Sequence, residues 1–169
     1  PRPEAKAVVR SVLQPAIRFE KKDCIDLPPI TYMDRDAPMT TQQQDFYKLL
    51  AKQMLIEADG EEISAVNAAV KLSKLLQIAC GSVYTDTGEV LEFDVSNRLN
   101  VVQEVIDECS NKVLVFVPFT HTIELLKNHL DKNGISCDVI NGSVSANKRA
   151  EIVQIFQNNP DPKVLIIQP

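Results

Sequence analysis

From residue 96 onward the apolar positions switch back and forth between two spacings. Leu99, Val102, Val105 and Ile106 fall on one face of a helix over 97–109, and the run Lys112 to Val117 that follows is apolar at nearly every position. The exchange then repeats: helix 121–132 (Ile123, Leu125, Leu126, Leu130), strand Cys137 to Ile140, helix 146–157 (Ile152, Val153, Phe156) and strand Lys163 to Ile167. Ser96 stands where an N-cap belongs. Strands apolar on both faces and joined by helices predict right-handed βαβ crossovers and a parallel sheet covered by helices. Residues 96–169 are therefore expected to be α/β.

Upstream the pattern is different. Ala5, Val8, Val9, Val12 and Leu13 sit near helical spacing between Pro3 and Pro15, which predicts a first helix. Ile17 to Asp34 reads as extended, interrupted by Leu27-Pro28-Pro29, with Ile30 to Met33 alternating like a strand. Thr40 or Thr41 can cap a helix through about Ile56, and a second helix runs from Ile63 to Gly81. Val83-Tyr84 and Val90 to Phe93 flank Thr85-Asp86-Thr87-Gly88, the composition of a short hairpin. The domain reading is thus a helical and hairpin annex over 1–95, followed by an α/β lobe over 96–169.

Composition narrows the classes. At 169 residues, 44% hydrophobic and 24% charged, the chain reads as an ordinary soluble globular protein, with no apolar run of membrane-helix length. The start at Pro1 shows no signal peptide and, like the end at Pro169, reads as a cut. A net charge of -5 means that no whole-molecule field draws the chain to nucleic acid, so any such contact is local. Residues 1–22 carry six basic and two acidic side chains, and residues 23–62 carry three basic and nine acidic. Cys24, Cys80, Cys109 and Cys137 form no CxxC pair, and His121 and His129 lie eight apart, so no metal site is expected and a reduced, cytoplasmic setting is the simplest reading. The five glycines form neither GxGxxG nor GxxxxGK, so no phosphate-cradling loop is present.

In a parallel sheet the working surface is the rim at the carboxyl ends of the strands. Here that rim holds Pro118, Phe119, Thr120 and His121, then the loop Asn141-Gly142-Ser143-Val144 and the helix that opens with Lys148 and Arg149. A flexible glycine, hydroxyls, helix-start N–H groups and two cations suit a phosphate. The same residues also serve an ordinary fold, with Gly142 making the turn, Ser145 capping the helix and both cations solvated.

The order of motifs resembles the second RecA-like lobe of superfamily-two helicases, and more narrowly the Swi/Snf-related DNA translocases. Lys112 to Thr120 is similar to that family's "kvlIFsqFt", and Gly142 to Phe156 to its "GsvsxxxRxxxIxxF". Upstream, Ile17-Arg18-Phe19-Glu20-Lys21-Lys22-Asp23 with Leu27-Pro28-Pro29 resembles "RRxKxDvxxxLPp", Gln43 and Tyr47 match "QxxxY", and Leu76 to Gly81 stands where the family has "LrqicxH". Phe19 replaces the second arginine, Pro118 a polar residue, and Gly81 the histidine; the hairpin after Gly81 looks like the compact bacterial and viral branch.

The resemblance implies a truncated RecA-like parallel sheet with flanking helices, from a parent that uses ATP and Mg to move along DNA. Its first lobe, with the phosphate loop, would precede Pro1, and the fifth and sixth motifs with the arginine finger would follow Pro169. No nucleotide or metal is then expected on this chain alone, and no catalytic residue lies within it. The implied partners are the missing N-terminal ATPase lobe and the DNA phosphate backbone, met without sequence preference by Pro118, Phe119, Thr120, His121, Gly142, Ser143, Lys148 and Arg149. Arg18 and Lys21 would sit between the lobes. A cytoplasmic place in a bacterial or virus-infected host cell goes with that branch, and no membrane is implied. The competing reading is a non-catalytic α/β module that binds a protein partner or small ligand at the same rim.

Overall fold

A computed structural model describes residues 4–13, 19–20, 24–26, 28–60, 65–85 and 87–169, without the side chains of 54–60 and 65–67. The chain divides into two units, Pro1–Asp34 and Arg35–Pro169. In the first, α1 (Ala5–Val12) begins after Glu4, and Ser11 Oγ donates to the Val8 carbonyl at 2.8 Å. Val8, Val9 and Val12 are exposed on it. Ile30 to Met33 joins no sheet among the described residues, and Ile30, Tyr32 and Met33 are all exposed, which suits a crossing segment outside the core.

The second unit opens with two packed helices, α2 (Thr41–Gly60) and α3 (Ala65–Cys80). Thr40 starts α2 through a reciprocal cap: the Thr40 N–H donates to Gln43 Oε1 at 3.1 Å, while the Gln43 N–H reaches Thr40 Oγ1 at 3.5 Å. Gln43 is buried, and its Nε2 donates to the Ile78 carbonyl near the end of α3 at 2.8 Å, so one side chain joins both helices. The antiparallel hairpin of β1 (Ser82–Tyr84) and β2 (Val90–Glu92) follows as expected. The ring of Phe93 is buried against Phe46 at 5.2 Å in an edge-to-face pair.

From there the alternation read in the sequence is realised. The elements are α4 (Ser96–Glu108), β3 (Val113–Phe116), α5 (Thr120–Lys132), β4 (Cys137–Ile140), α6 (Ala146–Asn158) and β5 (Val164–Ile167). The start of α4 departs from expectation in its cap. Ser96 is already helical, and its N–H is taken by Asp94 Oδ1 at 2.9 Å, a bond that holds the Asp94 carboxyl below its ordinary range. The three strands are all parallel in the order β3-β5-β4, with Phe116, Ile167 and Ile140 level at their carboxyl ends.

Period-two alternation in β5 sends Val164 and Ile166 into one core and Leu165 into another. The first core lies under α4 and α5 with Ile106, Ile123, Leu126 and Leu130; the second lies under α6 with Ile152 and Phe156. Helices therefore cover both faces of the central strand, as an all-apolar strand requires. The cover is uneven. Leu114 and Phe116 of edge strand β3 are exposed at 51% and 63%, because α6 reaches across β4 and β5 only. The expectation that every strand is buried on both faces fails at β3. Along that strand and α4 runs an apolar groove of about 440 Å³, lined by Val101, Val105 and Leu114 with Arg35 and Arg98.

Candidate nucleic-acid interface

Parallel register carries the three strand ends to one edge. Val117 to Thr120 leaves β3, Asn141 to Ser145 leaves β4, and Gln168 leaves β5. Gln168 fastens the edge from the middle: its N–H donates to the Ile140 carbonyl at 2.8 Å and its Nε2 to the Pro118 carbonyl at 3.3 Å. The residues expected to share a rim therefore do so. Pro118 and Thr120 are exposed, and Phe119 is half-buried in extended backbone as the N-cap of α5.

His121 is differently employed from a free rim cation. Its Nε2 lies 2.7 Å from Glu92 Oε1 on the hairpin, and its Nδ1 lies 3.2 Å from Glu124 Oε2 one turn along α5. The ring thus ties the helix to β2. Thr122 Oγ1 adds a bond to the Cys80 carbonyl at 3.3 Å, and a Cβ on Gly81 would stand 3.3 Å from Leu125, so α5 rests directly on the end of α3 and the hairpin. His129 bonds Gln103 instead, at 2.8 Å, so the two histidines do not act together.

The second loop is built on Asn141. Its Oδ1 accepts both the Ser143 N–H at 3.1 Å and the Ser143 hydroxyl at 2.7 Å, and its carbonyl accepts the Val144 N–H at 3.2 Å. Ser145 caps α6 as expected, accepting the Lys148 N–H at 3.4 Å. Lys148 pairs with Glu151 at 3.0 Å across one turn, an exposed pair of small energetic weight. Arg149 turns back onto the loop: Nε donates to the Val144 carbonyl and Nη2 to the Asn141 carbonyl, each at 2.9 Å.

Gly142 has no structural need to be glycine. Its φ is not in the left-handed region, and nothing lies within 4 Å of where a Cβ would stand. The space above its backbone is open, on the β4 side of the rim. Asn141 and Gln168 hold this edge together without being among the residues expected to touch a phosphate. An Asn-Gly pair after a strand was a visible signal for the first, whereas only the strand register reveals the second. Arg18 and Lys21 lie outside the described residues.

Among the described residues no three His, Cys, Asp or Glu side chains stand close enough to hold a metal ion, and no loop has a phosphate-cradling glycine spacing.

With this geometry in place, the comparisons with known proteins are direct. The family model for the helicase conserved C-terminal domain matches residues 97–167. The ATP-dependent helicase ULS1 of Saccharomyces cerevisiae is 30% identical over 91 residues, which is 51% of this chain and 6% of that protein. The SWI2/SNF2 ATPase core of Sulfolobus solfataricus in complex with dsDNA superposes with a TM-score of 0.62 at 21% identity, over 77% of this chain and 29% of that one. The C-terminal domain of the Sulfolobus solfataricus SWI2/SNF2 ATPase gives 0.61 at 22% identity, over 77% and 59%. This chain thus spans only part of the length of these proteins, from 6% to 59%. The β3-β5-β4 order and the match over α4 to β5 agree: residues 97–167 match the family model of the helicase conserved C-terminal domain, and the fold is similar to that of the SWI2/SNF2 ATPase C-terminal domain.

Proposed function

We propose that this lobe is the DNA-tracking half of an ATP-dependent translocase, gripping the phosphate backbone along the edge formed by Pro118 to His121 and Asn141 to Val144. The open space above Gly142 is the observation that carries this reading, because the fold itself makes no use of it. A phosphodiester is small enough to approach bare backbone there, beside the helix-start N–H groups of α5 and α6. Thr120 and Ser143 add hydroxyls, and Lys148 adds a charge at the first turn of α6. None of these groups reads a base edge, so tracking without sequence preference follows. The likeness to a SWI2/SNF2 ATPase core in complex with dsDNA supports the choice of polymer.

The nucleotide belongs to the parent molecule in this reading. A partner lobe supplies the phosphate loop and metal ligands, and closure of the two lobes moves the rim along its track. The link from His121 to Glu92 makes the hairpin a candidate carrier of that motion, since it fixes α5 to β2. The test compares phosphate release by the isolated chain with that by the full-length protein, each with and without duplex DNA. The full-length protein should respond to DNA and the isolated chain should release none above background. Release by the isolated chain that disappears on changing one of its own residues would contradict the division of labour.

A further inference from the structure

Arg149 was expected to meet a phosphate, yet its guanidinium is turned inward on the loop. We infer that Arg149 is a positioning residue, which fixes the Asn141–Val144 loop in the shape that presents its backbone at the rim. The inference rests on the DNA-tracking reading for its consequence, but the contact itself does not.

Three observations carry it. The Arg149 fork spans the loop, with Nε on the Val144 carbonyl and Nη2 on the Asn141 carbonyl, both at 2.9 Å. These carbonyls lie at the two ends of the turn, so one rigid plane sets the distance between them. The Asn141 carbonyl also takes the Val144 N–H at 3.2 Å, and Asn141 Oδ1 takes the Ser143 N–H at 3.1 Å, so the backbone around Gly142 is held from inside the turn and from α6 together. Finally, Gly142 has no neighbour near a would-be Cβ and no positive φ; the fork, not glycine geometry, sets the loop's shape.

A planar fork matters here because lysine cannot imitate it. An ammonium on a flexible stem carries three rotatable donors and no rigid plane, so it does not fix the separation of two carbonyls as the guanidinium fork does. Charge and position can therefore be separated by substitution. If Arg149 neutralised a phosphate, Arg149→Lys would keep most of the affinity, and Arg149→Ala would flatten the dependence of log K on log salt by about 0.9. If Arg149 positions the loop, the two variants should behave alike and the slope should stay.

The experiment uses full-length protein as wild type, Arg149→Lys, Arg149→Ala and Gly142→Val, with two measurements on each. Hydrogen exchange reads the amides of Ser143 and Val144 against those of the central strand β5, and a salt titration reads affinity for a duplex. The expected result is faster exchange at Ser143 and Val144 in both Arg149 variants, with β5 protection retained, and an affinity loss of about fivefold to tenfold in both, at unchanged slope. Wild-type exchange in both Arg149 variants would overturn the inference, as would rescue by Arg149→Lys together with a flattened slope in Arg149→Ala. Faster exchange with duplex affinity unaltered in all three variants would leave the positioning role standing and remove the DNA reading of the rim.

Discussion

Gly81→Ala should unfold the isolated chain at a markedly lower temperature. Gly81 ends α3 at φ +111°, and a Cβ there would lie 2.7 Å from Val95 Cγ1 and 3.3 Å from Leu125 Cδ1. Both neighbours belong to packed structure: Val95 is buried at the start of α4, and Leu125 lies on α5. Backbone strain at such a φ costs about 1–3 kcal/mol, and forcing a methyl into filled space costs about as much again. A loss of about 2–6 kcal/mol lowers the melting temperature of a chain this size by roughly 4–24 °C. Calorimetry measures it directly. A shift of under about one degree would mean that α3, the hairpin and α5 do not meet at Gly81 as described.

The opposite behaviour is expected of Gly142→Val. Nothing surrounds this position, so stability should stay within about 0.5 kcal/mol of wild type. Duplex affinity of the full-length protein should nevertheless fall about tenfold or more, because a branched side chain fills the space through which a phosphate reaches the loop backbone; tenfold corresponds to about 1.4 kcal/mol. Calorimetry and a fluorescence binding titration on the same preparations give both numbers. Affinity equal to wild type would make Gly142 an incidental glycine and take the β4 side out of the proposed track. The two glycines look alike in sequence and owe their identities to different things: Gly81 to its neighbours inside the fold, Gly142 to what approaches from outside.

That contrast also marks what could be read in advance. The parallel sheet was legible because β5 is apolar at every position and β3, β4 and β5 are separated by amphipathic segments long enough to cross over; burial on both faces leaves that trace in composition. The rim was legible for the same reason, since parallel strands bring their carboxyl ends to one edge whatever the loop sequences are. The employment of the rim side chains was not. Arg149 folds back onto residues five and eight positions away, and His121 is drawn to Glu92 on a hairpin 29 positions upstream; neither choice is written in local spacing. Ile30 to Met33 shows the converse, since its local alternation finds no sheet partner among the described residues. Val95, not Ser96, is the N-cap of α4, because the helix begins one residue earlier than the apolar pattern indicates, and the Ser96 N–H donates to Asp94 Oδ1 instead.

The most direct test of the central claim asks which end of the sheet the DNA occupies. In full-length protein with the exposed Cys24 and Cys109 replaced by Ser, a photoreactive group is attached at Ser143→Cys on the carboxyl rim, or at Asn133→Cys in the exposed turn leading into β4 at the amino end. The account predicts crosslinking to duplexes of unrelated sequence from position 143, falling as salt rises, and background yield from position 133. Equal yields from the two positions, or a yield from position 143 that follows one duplex sequence, would contradict it.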